Sequence, residues 1–149
     1  MILPATTDRV PLNSSLEANR MIEAQTEANI NRHRHDTPVQ IAARIRELEA
    51  EWDIERTLEA NAATAVLVGV GLGLFVNRKF FALPGVVAGF LLQHALQGWS
   101  PPLPLFRQMG VRTQSEIDRE IYALKALRGD FQRVDANKGA GAAMDAVVR

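Results

Sequence analysis

Few side chains in this sequence are placed to do chemistry. Gln93, His94 and Gln97 are the only polar groups in an apolar run from Phe80 to Trp99. A second apolar run, Ala62 to Val76, carries no charge and is preceded by Asn61. If the two runs form an antiparallel helical hairpin turning at Arg78, Asn61 falls at nearly the depth of His94. Polar groups within membrane helices face a partner or a watery cavity. Asn61, His94 and Gln97 are therefore a candidate intramembrane polar site for a proton or small ligand. The plainer reading, which we favour, is interhelical hydrogen bonding worth about 1 kcal/mol per contact.

Other constellations carry less. His33-Arg34-His35-Asp36 offers two imidazoles but no further ligand set, and reads as a solvated loop. Gly69-Val70-Gly71-Leu72-Gly73 suggests a dinucleotide fingerprint, but Leu74 stands where its third glycine belongs, and no strand precedes it. There is no cysteine, which excludes disulfides, thiolate metal sites and a thiol nucleophile. No nucleophile sits beside a base, and no carboxylate pair or metal-ligand spacing is visible. The expectation is a non-enzymatic protein with no catalytic residue, metal or cofactor. Seventeen basic residues balance seventeen acidic ones, which argues against a nucleic-acid partner.

The elements that position these residues can be read in order. Residues 1–36 are polar, with Pro4, Pro11 and four asparagines, and read as a partly disordered arm holding a marginal helix from Ser14. No cleavable signal peptide is expected there. Residues 37–60 begin with Thr37-Pro38-Val39-Gln40, a capping box with proline at the first helical position. Ile41, Ile45, Leu48 and Trp52 follow as one apolar stripe. The acidic polar face points to packing against another helix, in this chain or a second copy, rather than adhesion to anionic lipid.

Residues 61–99 form the proposed hairpin. The first run is 15 residues, about 22 Å of helix against a hydrocarbon core of about 30 Å. Starting at Thr57 would supply the missing length. The second run is 20 residues and needs no extension. Ala65, Gly69 and Gly73 line one helical face, Gly85 and Gly89 another, as small-residue stripes that let membrane helices approach closely. The expected partners are thus the lipid bilayer and a second copy or another membrane protein. Trp99 fits an interfacial anchor, and the following prolines end the second helix.

Residues 100–129 contain a short apolar patch (Leu103, Leu105, Phe106, Met109) and a last helix capped by Thr113 and Glu116. Ile117, Ile121 and Leu124, with Leu127 as a further candidate, form its stripe, and Gly129 stops it. Residues 130–149 read as a flexible tail. The fold class is all-α: a two-helix transmembrane hairpin flanked by amphipathic cytoplasmic helices. Arg44, Arg46, Arg56, Arg107, Arg112 and Arg119 flank the terminal side, against Arg78 and Lys79 at the turn. That bias puts both termini in the cytoplasm.

The stretch from Trp52, with Glu55-Arg56, Gly98-Trp99-Ser100-Pro101 and Gly110-Val111-Arg112-Thr113, resembles the YgaP-like transmembrane-domain family of bacterial membrane proteins. That family has a Glu-Arg-rich lead-in, two membrane helices, a Gly-x-Cys-Pro exit and a Gly-[Ile/Val]-x-Thr ending. The resemblance covers about half the chain and implies a hairpin in the bacterial inner membrane, with no defined activity. Ser100 replaces the usual cysteine. Some relatives carry a rhodanese domain before the hairpin, but the stretch before Trp52 is too short for one. Sulfur transfer is not expected. Three roles follow: an interaction or scaffold module first, an oligomeric small-solute channel or transport accessory second, and a soluble all-α bundle third.

Overall fold

The computed structural model describes residues 3–148 and is all-helical, with no strand among the described residues. Eight α-helices follow in order: α1 (Arg9–Leu12), α2 (Leu16–His33), α3 (Pro38–Glu49), α4 (Ile54–Phe75), α5 (Ala82–Gln97), α6 (Leu103–Gln108), α7 (Gln114–Arg128) and α8 (Gly139–Val148). They divide into two compact units. The first comprises Met1–Ile22 with Trp52–Thr113, and the second Glu23–Glu51 with Gln114–Arg149.

The second unit is built on α3 and α7. Thr37 Oγ1 accepts from the Gln40 amide while Gln40 Oε1 accepts from the Thr37 amide, so the capping box forms as the sequence indicates. Ile41, Ile45 and Leu48 pack against Ile117, Ile121 and Leu124. The stripe of α3 therefore finds its partner within this chain. Burying such a set stabilises the pair by roughly 1.5–3 kcal/mol per side chain. Trp52 departs from the expectation. The helix ends at Glu49, and Trp52 lies half exposed beneath the Arg56 guanidinium, 4.3 Å from the ring centre. Leu127 is also half exposed, because the buried face of α7 continues through Lys125.

Glu120 is fully buried between apolar neighbours on α7. Its Oε1 accepts from Arg44 Nε at 3.1 Å and Nη2 at 2.9 Å, and its Oε2 accepts from Asn29 Nδ2 at 3.3 Å. A buried carboxylate is tolerable only with such partners, since an uncompensated one costs several kcal/mol.

The N-terminal arm differs from its reading as partly disordered. α2 runs 18 residues, with Ala18, Ile22, Thr26 and Asn29 buried at steps of four, four and three. The buried face is made largely of small and polar residues, so counting only large apolar ones hides it. Its start also shifts: Ser15 Oγ accepts from the Ala18 amide, while Ser14 Oγ donates to Val10 O. Of the segment read as a flexible tail, residues 130–148 likewise form a short 3-10 turn and α8, with Ala146 buried.

In the first unit, α4 and α5 form the hairpin. Asp53 caps α4 by accepting from the Arg56 amide at 2.9 Å. From there the helix is unbroken for 22 residues. The portion from Thr57 onward is about 28 Å long, close to a hydrocarbon core of about 30 Å. Asp53, Glu55 and Arg56 precede that portion, and Glu59 lies in its first turn. At the turn, Asn77 Oδ1 accepts from the Lys79 amide and starts a 3-10 turn, Arg78–Phe81, which leads into α5. The 20 residues from Arg78 to Gln97 form one helical stretch.

Two of the predicted small residues set the approach of these helices. A methyl group on Gly69 would lie 2.6 Å from Pro84 Cδ, and one on Gly73 would lie 2.9 Å from the Phe81 ring. Both glycines are buried against α5 or its leading turn. Gly85 and Gly89 lie elsewhere: nothing stands within 4 Å of a methyl at either. They face away from α4.

Candidate functional site

The base of the hairpin holds the polar cluster. Val10, Ile54, Leu58 and Leu103 form a buried apolar core there, with Phe106 and Val111 against it. Val10 brings α1 to this base, and Arg9 next to it reaches the end of α5. Arg9 Nη1 donates to the carbonyls of His94 (3.1 Å) and Ala95 (2.9 Å), and Asn13 Nδ2 donates to that of Gln97 (2.7 Å). The last carbonyls of a helix lack partners within it, and a cation there also opposes the helix dipole. Arg9 and Asn13 thus cap α5 from a distant part of the sequence. Gly98 completes the end in a left-handed conformation (φ 83°), its amide bonded to His94 O. A side chain at this position would run into the Arg9 carbonyl.

His94 is almost wholly buried, and its Nε2 lies 3.0 Å from Glu55 Oε2. The other carboxylate oxygen, Oε1, accepts from Arg9 Nη2 at 2.7 Å. Glu55 therefore bridges an imidazole on α5 and a guanidinium on α1. The hydrogen bond to His94, with the charges of His94 and Arg9, holds the Glu55 carboxyl below its ordinary value against the opposing effect of burial.

The sequence-derived trio is not assembled. Asn61 Nδ2 turns back to Thr57 O at 2.8 Å, and Gln97 is engaged through its backbone carbonyl. Depth does not separate them. Contacts of Gly69 with Pro84 and Gly73 with Phe81 place His94 level with about residues 59 and 60, close to Asn61. His94 nevertheless pairs with Glu55, about one helical turn nearer the base. Glu55 and Arg9 were missed. The signal available was the acidic residue in the first turn of α4, which reads equally well as ordinary dipole compensation.

Arg107 on α6 was also missed. It is fully buried, donating from Nε to Ser14 Oγ (3.0 Å), from Nη1 to Val111 O (3.1 Å) and from Nη2 to Asn19 Oδ1 (2.9 Å). It ties the start of α2 to α6. The short apolar patch on α6 divides accordingly: Leu103 is buried, while Leu105 and Met109 are exposed.

Three buried side-chain polar atoms have no hydrogen-bond partner among the described residues: Arg9 Nε, His94 Nδ1 and Ser100 Oγ. All three belong to residues at the base of the hairpin or just beyond α5. Among the described residues no group of three or more His, Asp or Glu side chains could hold a metal ion. Comparison of the chain with protein-family models, with curated proteins and with solved structures returns no match.

Proposed function

We propose that this protein is a small integral membrane protein whose hairpin crosses the bacterial inner membrane twice and serves as a non-enzymatic interaction or scaffold module. One observation carries the reading: the two long apolar helices of the hairpin leave most of their apolar side chains uncovered. Two helical stretches, ending at Phe75 and Gln97, are long and apolar enough to cross a membrane by length and composition. Only 17% and 6% of their most apolar windows are buried. Leu67, Leu74, Phe75, Val86 and Leu92 are each more than half exposed. A core helix of a water-soluble bundle would cover such side chains, whereas a bilayer accepts them as they stand. The motif-level resemblance to the YgaP-like family points the same way.

Both termini lie in the cytoplasm on this reading, because arginines flank the base of the hairpin and only Arg78 and Lys79 mark its turn. Gly85 and Gly89, open on the side away from α4, supply a contact face for a second copy or another membrane helix. A second reading, an oligomeric conduit for a small solute, draws on the buried His94 and its half-buried partners Glu55 and Arg9. His94→Ala separates the two, since a scaffold retains assembly and a conduit loses flux.

Since the chain has no cysteine, single ones can be introduced as reporters. Asn77→Cys should react with a membrane-impermeant maleimide on intact spheroplasts. Ala140→Cys should react only after lysis. Labelling of both before lysis, or of neither, contradicts the topology.

A further inference from the structure

Three segments of the first unit meet at the base of the hairpin. Val10 of α1 and Leu103 of α6 pack against Ile54 and Leu58 of α4, and all four are buried. The Ser100–Pro102 segment leading into α6 lies against the side of the hairpin, near Leu58, Ala62 and Phe90. α6 is thus seated beside α4 rather than beneath it. Ile54 and Leu58 stand about 6 Å apart along the helix axis. On the membrane reading that interval straddles Thr57, where the spanning portion of α4 begins. The headgroup layer of a leaflet is about 5–7 Å deep outside the hydrocarbon. The core at the base therefore occupies the depth of that layer.

Both short helices also turn apolar side chains outward. On α6 Leu103 and Arg107 are fully buried, while Leu105 and Met109 are 58% and 69% exposed. The two pairs lie on opposite sides of the helix, so the outer face looks sideways from the hairpin. On α1 Val10 is buried and Leu12, two residues on, is 72% exposed. Its depth is fixed independently, because the neighbouring Asn13 donates to the Gln97 carbonyl at the end of α5. By the contacts of Gly69 and Gly73 with α5 and its leading turn, Gln97 stands level with about Arg56. The Arg56 guanidinium lies over the half-exposed Trp52 ring. Isolated exposed apolar residues are ordinary on a protein surface. These share one level, and an aromatic ring belongs among the groups favoured at headgroup depth.

We propose that the base of the hairpin is itself a membrane-binding collar. Leu105 and Met109 of α6 and Leu12 of α1 insert where the headgroups of the cytoplasmic leaflet meet the acyl chains, and Arg56 lies among the phosphates. The occupant of these outer faces is the lipid surface, because they continue the uncovered apolar surface of α4 and α5 at its lower edge. The proposal rests on the membrane reading above and adds to it. The protein takes up more area in the cytoplasmic leaflet than in the opposite one, where the Arg78–Phe81 turn emerges. Amphipathic segments seated in this way respond to lipid packing and curvature.

The test places single cysteines in the full chain and labels them with a nitroxide, in vesicles of phosphatidylethanolamine and phosphatidylglycerol. Collision with oxygen, which concentrates in lipid, is compared with collision with a nickel chelate confined to water. All the sites are exposed, so the circular-dichroism signal should match wild type. Leu105→Cys, Met109→Cys and Leu12→Cys should each give an oxygen-to-nickel ratio at least about threefold above that of Ala140→Cys, the cytoplasmic reporter. Leu92→Cys, on the exposed face of α5, supplies the lipid reference. A smaller ratio at any of the three, with Leu92→Cys in lipid, overturns the collar and leaves the hairpin standing. So does a label at Leu105 or Met109 screened from both reagents, with spin–spin broadening between labelled chains, since a second copy then covers the face. A label on Leu92→Cys reached chiefly by nickel overturns the underlying membrane reading instead, and the collar with it.

Discussion

Glu55 is the residue on which the base of the hairpin turns. Its two carboxylate oxygens take different partners, Arg9 from α1 and His94 from α5. Without the charge, α1 loses its ion pair and the imidazole loses its acceptor. The sign of the pH dependence follows from the lowered Glu55 value. A carboxyl bound more strongly as the anion in the folded state contributes stability at pH above its ordinary value of 4.5. That contribution is lost as pH falls through the lowered folded value. Glu55→Gln should therefore lower the melting temperature in detergent at pH 7, and the gap to wild type should close on acidification. Thermal unfolding of both proteins across pH 3–7, followed by circular dichroism, checks this. A gap that persists unchanged at the acid end would show that the carboxylate charge is not what holds α1.

At the scale of elements, the glycines of the hairpin divide into two sets with different consequences. Gly69 and Gly73 admit Pro84 and Phe81 into van der Waals range, so a larger side chain there pushes α5 away. Gly85 and Gly89 meet nothing in the chain. Gly73→Leu should cost on the order of 1–3 kcal/mol and lower the unfolding temperature of the monomeric hairpin. Gly85→Leu should leave that temperature within a degree or two of wild type while dissociating any oligomer seen by crosslinking. A crosslinked oligomer that survives Gly85→Leu would place the contact face elsewhere.

The stripe of small residues was legible in the sequence because Ala65, Gly69, Gly73, Gly85 and Gly89 recur at helical spacing. Which of them faces the partner helix was not, because that depends on where the turn begins. Asn77 starts a 3-10 turn that precedes α5. His94, close to Asn61 in depth, pairs instead with Glu55. The start of α3 and the whole of α7 were read nearly to the residue, since their stripes are large and aliphatic and Thr37 and Gly129 mark one end of each, but the helix read over 37–60 stops at Glu49. α2 was not, since Ala18, Thr26 and Asn29 bury a helix face without the usual aliphatic signal. Arg9, Asn13 and Arg107 act across distances of 84 residues or more, and local pattern carries no information about such pairs.

For the whole molecule, the two compact units differ in kind. One buries its apolar residues between α3 and α7 and satisfies its one buried carboxylate with Arg44 and Asn29. The other buries a small core at the base of the hairpin and leaves the long faces of α4 and α5 uncovered. That contrast within a single chain is the basis for reading the hairpin as a membrane element. The paired unit covers the aliphatic stripes of α3 and α7 within the chain itself. The most direct measurement is cell fractionation with an alkaline carbonate wash of the membranes, following a C-terminal tag. The account predicts that the full-length chain stays in the washed pellet and is released only by detergent. Release into the carbonate supernatant would contradict it, and the exposed faces of α4 and α5 would then have to be covered by protein in a soluble all-α assembly.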